Sequence, residues 1–155
     1  MPLEYDRGLE KVWVYGALRV RDGQVLTQTA PARNTAGYLA LLNTLDRSSP
    51  QGDRSLIADT LSRHTRGPIR DWLAEHPRFH HAFIPSGAAW LNLIEGWWRL
   101  FRRTAFAGVA VADADDIASA TRLATAHLNR HARPGVWGRP PPPQRHLRRC
   151  FVYRL

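Results

Sequence analysis

The sequence predicts an α/β protein, a mixed sheet with helices packed on it, in the order ββαβαβαα. Three observations carry this. A β-rich run with a turn and a partner opens the pattern. Short apolar runs then alternate with segments of helical periodicity. Two helical segments follow one another at the end.

Residues 11–20, KVWVYGALRV, are β-branched and aromatic and predict the first strand. Arg21-Asp22-Gly23 is a turn, and 24–29, QVLTQT, is the hairpin partner. Asn34 is placed to cap a helix in which Tyr38, Leu41, Leu42 and Leu45 share a face. After the loop 46–54, the run Ser55-Leu56-Ile57-Ala58 ends at Asp59, which predicts a buried strand with an acid at its C-terminal end. Thr65 caps a helix with Ile69, Trp72 and Leu73 on one face, stopped by Pro77. FHHAFI at 79–84 is the fourth strand. Helices follow from about Leu91 to Thr104 and from about Ala114 to His131, the second with Asp115 and Asp116 in its first turn. Residues 1–133 read as one domain, and 134–155 as a Pro-rich spacer and a basic tail.

The 155 residues hold 22 Lys+Arg against 13 Asp+Glu, and the excess is uneven. Residues 1–95 carry 11 basic and 10 acidic side chains, a net of +1; residues 96–155 carry 11 and 3, a net of +8. A polyanion suits that half, and nucleic acid is the first candidate. A GC-rich genome also fits, because Lys11 is the only lysine. No run of 18 apolar residues exists to cross a membrane. The acidic N-terminus does not suit a signal peptide. The lone Cys150 excludes a disulfide framework and fits a reducing cytoplasm.

Two carboxylates stand out by placement. Asp59 ends an apolar strand, where α/β sheets build their sites. Glu95 lies in a helix crowded with Trp and Leu. At roughly 100° per residue, Asn92, Arg99, Arg102 and Arg103 fall on its side of that helix, and Leu93, Ile94, Trp97, Leu100 and Phe101 cover the rest. One stripe thus carries an amide, an acid and three cations. A solvated Glu95–Arg99 pair at i,i+4 spacing and an Asp59 that caps a loop fit the same residues. His80 and His81 are adjacent in a strand and point to opposite faces, which disfavours a shared zinc ion. Trp72, Trp90, Trp97, Trp98 and Trp137 suit a core better than a stacking platform for bases.

These residues resemble a family. The string WLNLIEGWWRLFRR at 90–103, preceded by FIPSGAA, is similar to the glutamate motif of mariner-superfamily insertion-sequence transposases, endonucleases with a DDE triad. LIADTLSRH at 56–64 resembles their second-aspartate motif, with His64 five residues after Asp59, and 35 residues separate Asp59 from Glu95. DWLAEHPRFHHAFIP at 71–85 and HARPGVWGRP at 131–140 also resemble family segments, so the likeness runs from about Val12 onward.

The resemblance implies an RNase H-like fold and DNA transposition: phosphodiester hydrolysis and strand transfer with two divalent ions, Mg or Mn, about 4 Å apart. It implies Asp59 and Glu95 as catalytic metal ligands, and Asn92, Arg99, Arg102, Arg103 and His64 as DNA-facing residues. DNA is the implied partner, with a second copy or a full-length transposase beside it, in the cytoplasm on the nucleoid. The departures are specific. The family's first aspartate belongs on a strand tens of residues before the hairpin, and only ten residues precede Lys11. Thr60 stands where the family has Asn, and Leu93 where Pro is common. The expectation is a domain truncated at its N-terminus, with two of three carboxylates, weak or absent cleavage, and no central strand. The alternative is a basic, non-catalytic DNA-binding fragment that interferes with a full-length transposase. In the family order 3-2-1-4-5, the strands at 11–20 and 55–59 would flank the gap and close directly or poorly.

Overall fold

The computed structural model describes residues 11–59, 67–84, 92–108 and 113–135, with only the backbone described at Asp59. Its elements are β1 (Trp13–Leu18), β2 (Val25–Ala30), α1 (Thr35–Ser48), β3 (Arg54–Asp59), α2 (Gly67–Glu75), β4 (Phe79–Ile84), α3 (Ile94–Phe106) and α4 (Ala114–Arg130). The α/β order matches expectation element by element.

β1 and β2 pair antiparallel, with Trp13 opposite Ala30 and Leu18 opposite Val25. The turn between them needs Gly23 twice over. Its φ is +74°, and a Cβ there would lie 1.9 Å from the Arg133 carbonyl oxygen. Asp22 closes the turn by accepting from the Gln24 amide at 3.1 Å and pairing with Arg19.

The hairpin is sandwiched because its side chains alternate. Tyr15, Ala17 and Leu26 face α1, in a core with Tyr38, Leu41, Leu42, Ile69, Trp72 and Phe79. Val14 and Leu18 face the other way, towards α3 and α4. β2 repeats the pattern, with Gln28 bonded to Thr44 of α1 and Thr27 bonded to Thr125 of α4. Asn129 of α4 serves the start of β2 as a strand would: its amide accepts from Val25 N–H at 2.9 Å and donates to Val25 C=O at 2.8 Å.

α1 begins where Asn34 accepts from the Gly37 amide at 2.9 Å. α4 is capped by Asp113, which accepts from Asp116 N–H at 2.9 Å, while Asp115 and Asp116 occupy its first turn. α3 starts at Ile94 rather than Leu91. Its first residue follows Leu93, which has no capping side chain, and the Asn92 carbonyl accepts from Glu95 N–H at 3.1 Å.

β3 and β4 pair in parallel, Arg54 opposite Phe79 and Asp59 opposite Ile84. A salt bridge ties this layer to α1. Arg78 donates to Asp46 through Nε at 3.1 Å and also through its Nη2. The hydrogen bond from Arg78 holds the Asp46 carboxyl below its usual value, with the charges of Arg78, His76 and Arg54 adding to it. A carboxyl depressed by folding stabilises above its unfolded value, near pH 4, and that contribution is lost as pH falls through the folded value. Asp46→Asn is therefore expected to lower the Tm at neutral pH and to flatten its fall below about pH 4. Thermal melts from pH 2 to pH 7 check this, and an acid limb as steep as wild type contradicts it.

The four strands form two two-stranded sheets, not one. β1 and β3 do not pair with each other among the described residues. Between them lies a cavity of about 570 Å³. The expected single mixed sheet is thus replaced, among the described residues, by two separate strand pairs with this slot between β1 and β3, and residues 1–10 lie outside the described residues.

Candidate functional site

The slot is bordered by two of the predicted site residues, Asn92 and Glu95, and by Ala58, the neighbour of Asp59. It is lined by Leu56, Ile57 and Ala58 of β3, by Asn92, Leu93, Ile94 and Glu95 at the start of α3, and by β1. Ala58 immediately precedes Asp59 at the C-terminal end of its strand. The strand end that carries Asp59 and the helix turn that carries Glu95 thus border one cavity, though 35 residues separate them in sequence.

The local reasons are plain. β3 can end in an acid because its body is apolar, with Leu56 packed against the core cluster that includes Leu42, Ile69 and Phe79. α3 presents Glu95 outward because its apolar residues fall at helical spacing on the opposite face. Ile94, Phe101 and Ala105 are buried, and Trp97 and Trp98 half-buried. Trp97 and Phe101 stack with centroids 5.0 Å apart, and Trp98 meets Phe101 edge-on at 5.5 Å. Leu100 departs from expectation, being 52% exposed, because the contacts of α3 with β1 and α4 use only the stripe through 94, 97, 98, 101 and 105.

Glu95, Arg99, Arg102 and Arg103 are all exposed, and Asn92 is half-buried. The i,i+4 ion pair of Glu95 with Arg99 does not form. The salt bridges among the described residues join Arg19 to Asp22, and His76 and Arg78 to Asp46. The acid and the three cations therefore stand side by side without neutralising one another through a direct contact. His64 and Thr60 lie outside the described residues, as do Trp90 and Trp137. Trp72 is a core residue, 8% exposed. His81 bonds through Nε2 to the Tyr38 hydroxyl at 2.8 Å, and His76 stacks on Trp72.

Arg54 had no sequence signal. It opens β3, lines the slot, and donates to the Ser49 carbonyl at 2.5 Å. Burial, with the nearby charge of Arg78, pushes its guanidinium below the usual arginine value. An arginine at the polar start of a strand reads as solvated, and only the fold of α1 and β4 around it half-buries it.

Chemically, this arrangement offers a hard oxygen donor at a cavity mouth, a second acid at the adjacent strand end, and a row of cations alongside. Among the described residues no helix is long and apolar enough to cross a membrane. The comparison with curated proteins returned no match. A family model described as DDE superfamily endonuclease matches residues 3–118, which is 116 of the 155 residues and spans every element from β1 through α3. The chain belongs to the DDE superfamily endonucleases.

Proposed function

We propose that this chain is a catalytic domain of a mariner-type DDE transposase, acting on DNA at the face shared by the end of β3 and the start of α3. One observation carries the reading: Ala58, next to Asp59, and Glu95 line the same cavity. The sheet layout supports it. The strand pairs β2-β1 and β3-β4, with β1 and β3 both lining the slot, are the pairs an RNase H-like order 3-2-1-4-5 would leave on either side of its central strand. Residues 1–133 make the domain, and 134–155 a spacer and basic tail.

The donor set fits a divalent ion. Carboxylate oxygen suits Mg²⁺ or Mn²⁺, which keep several waters and need few protein ligands. Asp59 and Glu95 are the residues that would hold it. When bound, such an ion supplies charge neutralisation and an activated water for in-line attack on a phosphodiester. The chain's own contribution is positioning. Asp59 holds its place at the end of a strand paired to β4, and Glu95 holds its place in a helix turn fixed by the Asn92 carbonyl. Arg99, Arg102 and Arg103 bind the DNA backbone beside them, and His64, five residues beyond Asp59, belongs to the same DNA-facing group. The reading assigns two of the family's three carboxylates, so metal affinity is low and cleavage slow.

A second reading, a DNA-binding module without catalysis that interferes with a full-length transposase, is favoured by the unpaired arginine row, which binds phosphate with or without chemistry. Supercoiled DNA with the purified chain and Mg²⁺ separates the two. Slow nicking that needs the metal and disappears in Glu95→Ala supports the catalytic reading. Salt-sensitive binding with no nicking supports the module. Undetectable binding at low salt contradicts both.

A further inference from the structure

We propose that His127 and His131, one turn apart at the C-terminal end of α4, form a two-imidazole site for a borderline divalent metal ion, Zn²⁺ first. Neither residue lines the cavity that Glu95 borders, so the proposal does not depend on DNA chemistry. The i,i+4 spacing is the one at which a helix lays two histidines side by side on one face. Their ring centroids are 5.3 Å apart, with the planes at 51°. That separation fits one shared ion. A zinc–nitrogen bond of about 2.0–2.1 Å places the ion about 3.2 Å from each ring centre. Two such rings at a tetrahedral angle stand about 5.2 Å apart. Both side chains are exposed, so an ion reaches them without any opening of the fold.

His131 is already set for the task. Its Nδ1 lies 3.2 Å from the His127 carbonyl oxygen and so carries the ring proton, because a carbonyl only accepts. The Nε2 lone pair is then left for a metal, the arrangement in which a backbone carbonyl orients a zinc-binding imidazole. His127 is held more loosely. Arg130 reaches its Nδ1 through Nη2 at 3.4 Å, which is long for a hydrogen bond. A metal at His127 Nε2 leaves the ring proton on Nδ1, so Arg130 turns away, as its exposed position permits. The helix end favours the incoming charge, because the last carbonyls of α4 carry the negative end of its dipole. Among the described residues no group of three or more His, Cys, Asp or Glu forms, so water fills the remaining positions and the ion stays exchangeable. Imidazole selects Zn²⁺, Cu²⁺ or Ni²⁺ over Mg²⁺, which takes hard oxygen. The ion fastens the last turn of α4. That turn holds Asn129, which bonds to Val25 of β2 and receives the Gln24 amide, so the start of β2 is steadied with it.

Zn²⁺ titrated into the isotope-labelled full chain, followed through the imidazole NMR signals, tests this. The His127 and His131 signals are expected to move together and to reach saturation at one equivalent of bound ion. His127→Ala is expected to weaken binding at His131 by at least about tenfold, and His131→Ala to do the same at His127, because losing a ligand costs no less than losing the partner that orients it. Both side chains are exposed, so neither variant threatens the fold. A roughly 100-fold excess of Mg²⁺ is expected to leave the Zn²⁺ in place. Signals of His127 and His131 that stay still while those of other histidines move overturn the proposal. So does movement of one of the two rings without the other. So does wild-type affinity in either alanine variant, or displacement of Zn²⁺ by Mg²⁺.

Discussion

Replacing Arg99, Arg102 and Arg103 together by Ala is expected to flatten the salt dependence of duplex DNA binding by about three in log–log slope. Each lysine or arginine on a phosphate releases condensed counterions and contributes about 0.9 to that slope. Between 50 and 200 mM salt, the wild-type chain should therefore lose about 40-fold more affinity than the variant. All three side chains are exposed on α3, and none forms a salt bridge among the described residues, so removing them should change stability by less than about 0.5 kcal/mol. Fluorescence anisotropy across a salt series gives the slope, and a melt gives the control. An unchanged slope places the DNA elsewhere, with the basic tail at 145–154 the next candidate.

Phe101→Ala is expected to destabilise the fold by about 3–5 kcal/mol. Phe101 is 2% exposed and lies at the centre of an aromatic group, stacked on Trp97 and edge-on to Trp98 and Phe106. It joins α3 to Ala124 of α4 and Val14 of β1. Truncation leaves a cavity bounded by large rings that cannot collapse into it. The loss approaches the whole stability of many small domains. Urea unfolding followed by tryptophan fluorescence measures it. Leu100→Ala, on the same helix at 52% exposure, is the control and should cost far less. Equal losses at 100 and 101 would mean that α3 packs on a different face. That outcome would also move Glu95 and the arginines, because the helix's orientation fixes all of them together.

Local chemistry made much of this fold legible. FHHAFI coincides with β4, and Asn34 caps α1 through its own side chain, since both depend on neighbours in sequence. The polar stripe on α3 was legible from helical angles alone. Other features were not, and the first two depend on distant residues. Asn129 completes the start of β2 from 104 residues away. Arg54 looks like a surface residue until α1 and β4 close over it. The start of α3 shifted by three residues because no capping side chain marks it, only the Asn92 carbonyl. Asp113 was hidden beside Asp115 and Asp116: three acids in four residues suit a helix start, and only geometry shows which one caps. The split of four strands into two sheets is also a long-range outcome. The strand segments were visible, but whether 13–18 and 54–59 touch depends on what lies between them.

The central claim is that Asp59 and Glu95 act as one metal-binding face. Titrating Mn²⁺ into isotope-labelled protein and following amide NMR signals tests it most directly, because the paramagnetic ion broadens the signals near where it binds. The account predicts joint loss of the signals of Ala58, Asp59, Ile94, Glu95 and Gly96, with both groups restored in Glu95→Gln. Broadening centred on Asp113–Asp116, or on one of the two segments without the other, would contradict it.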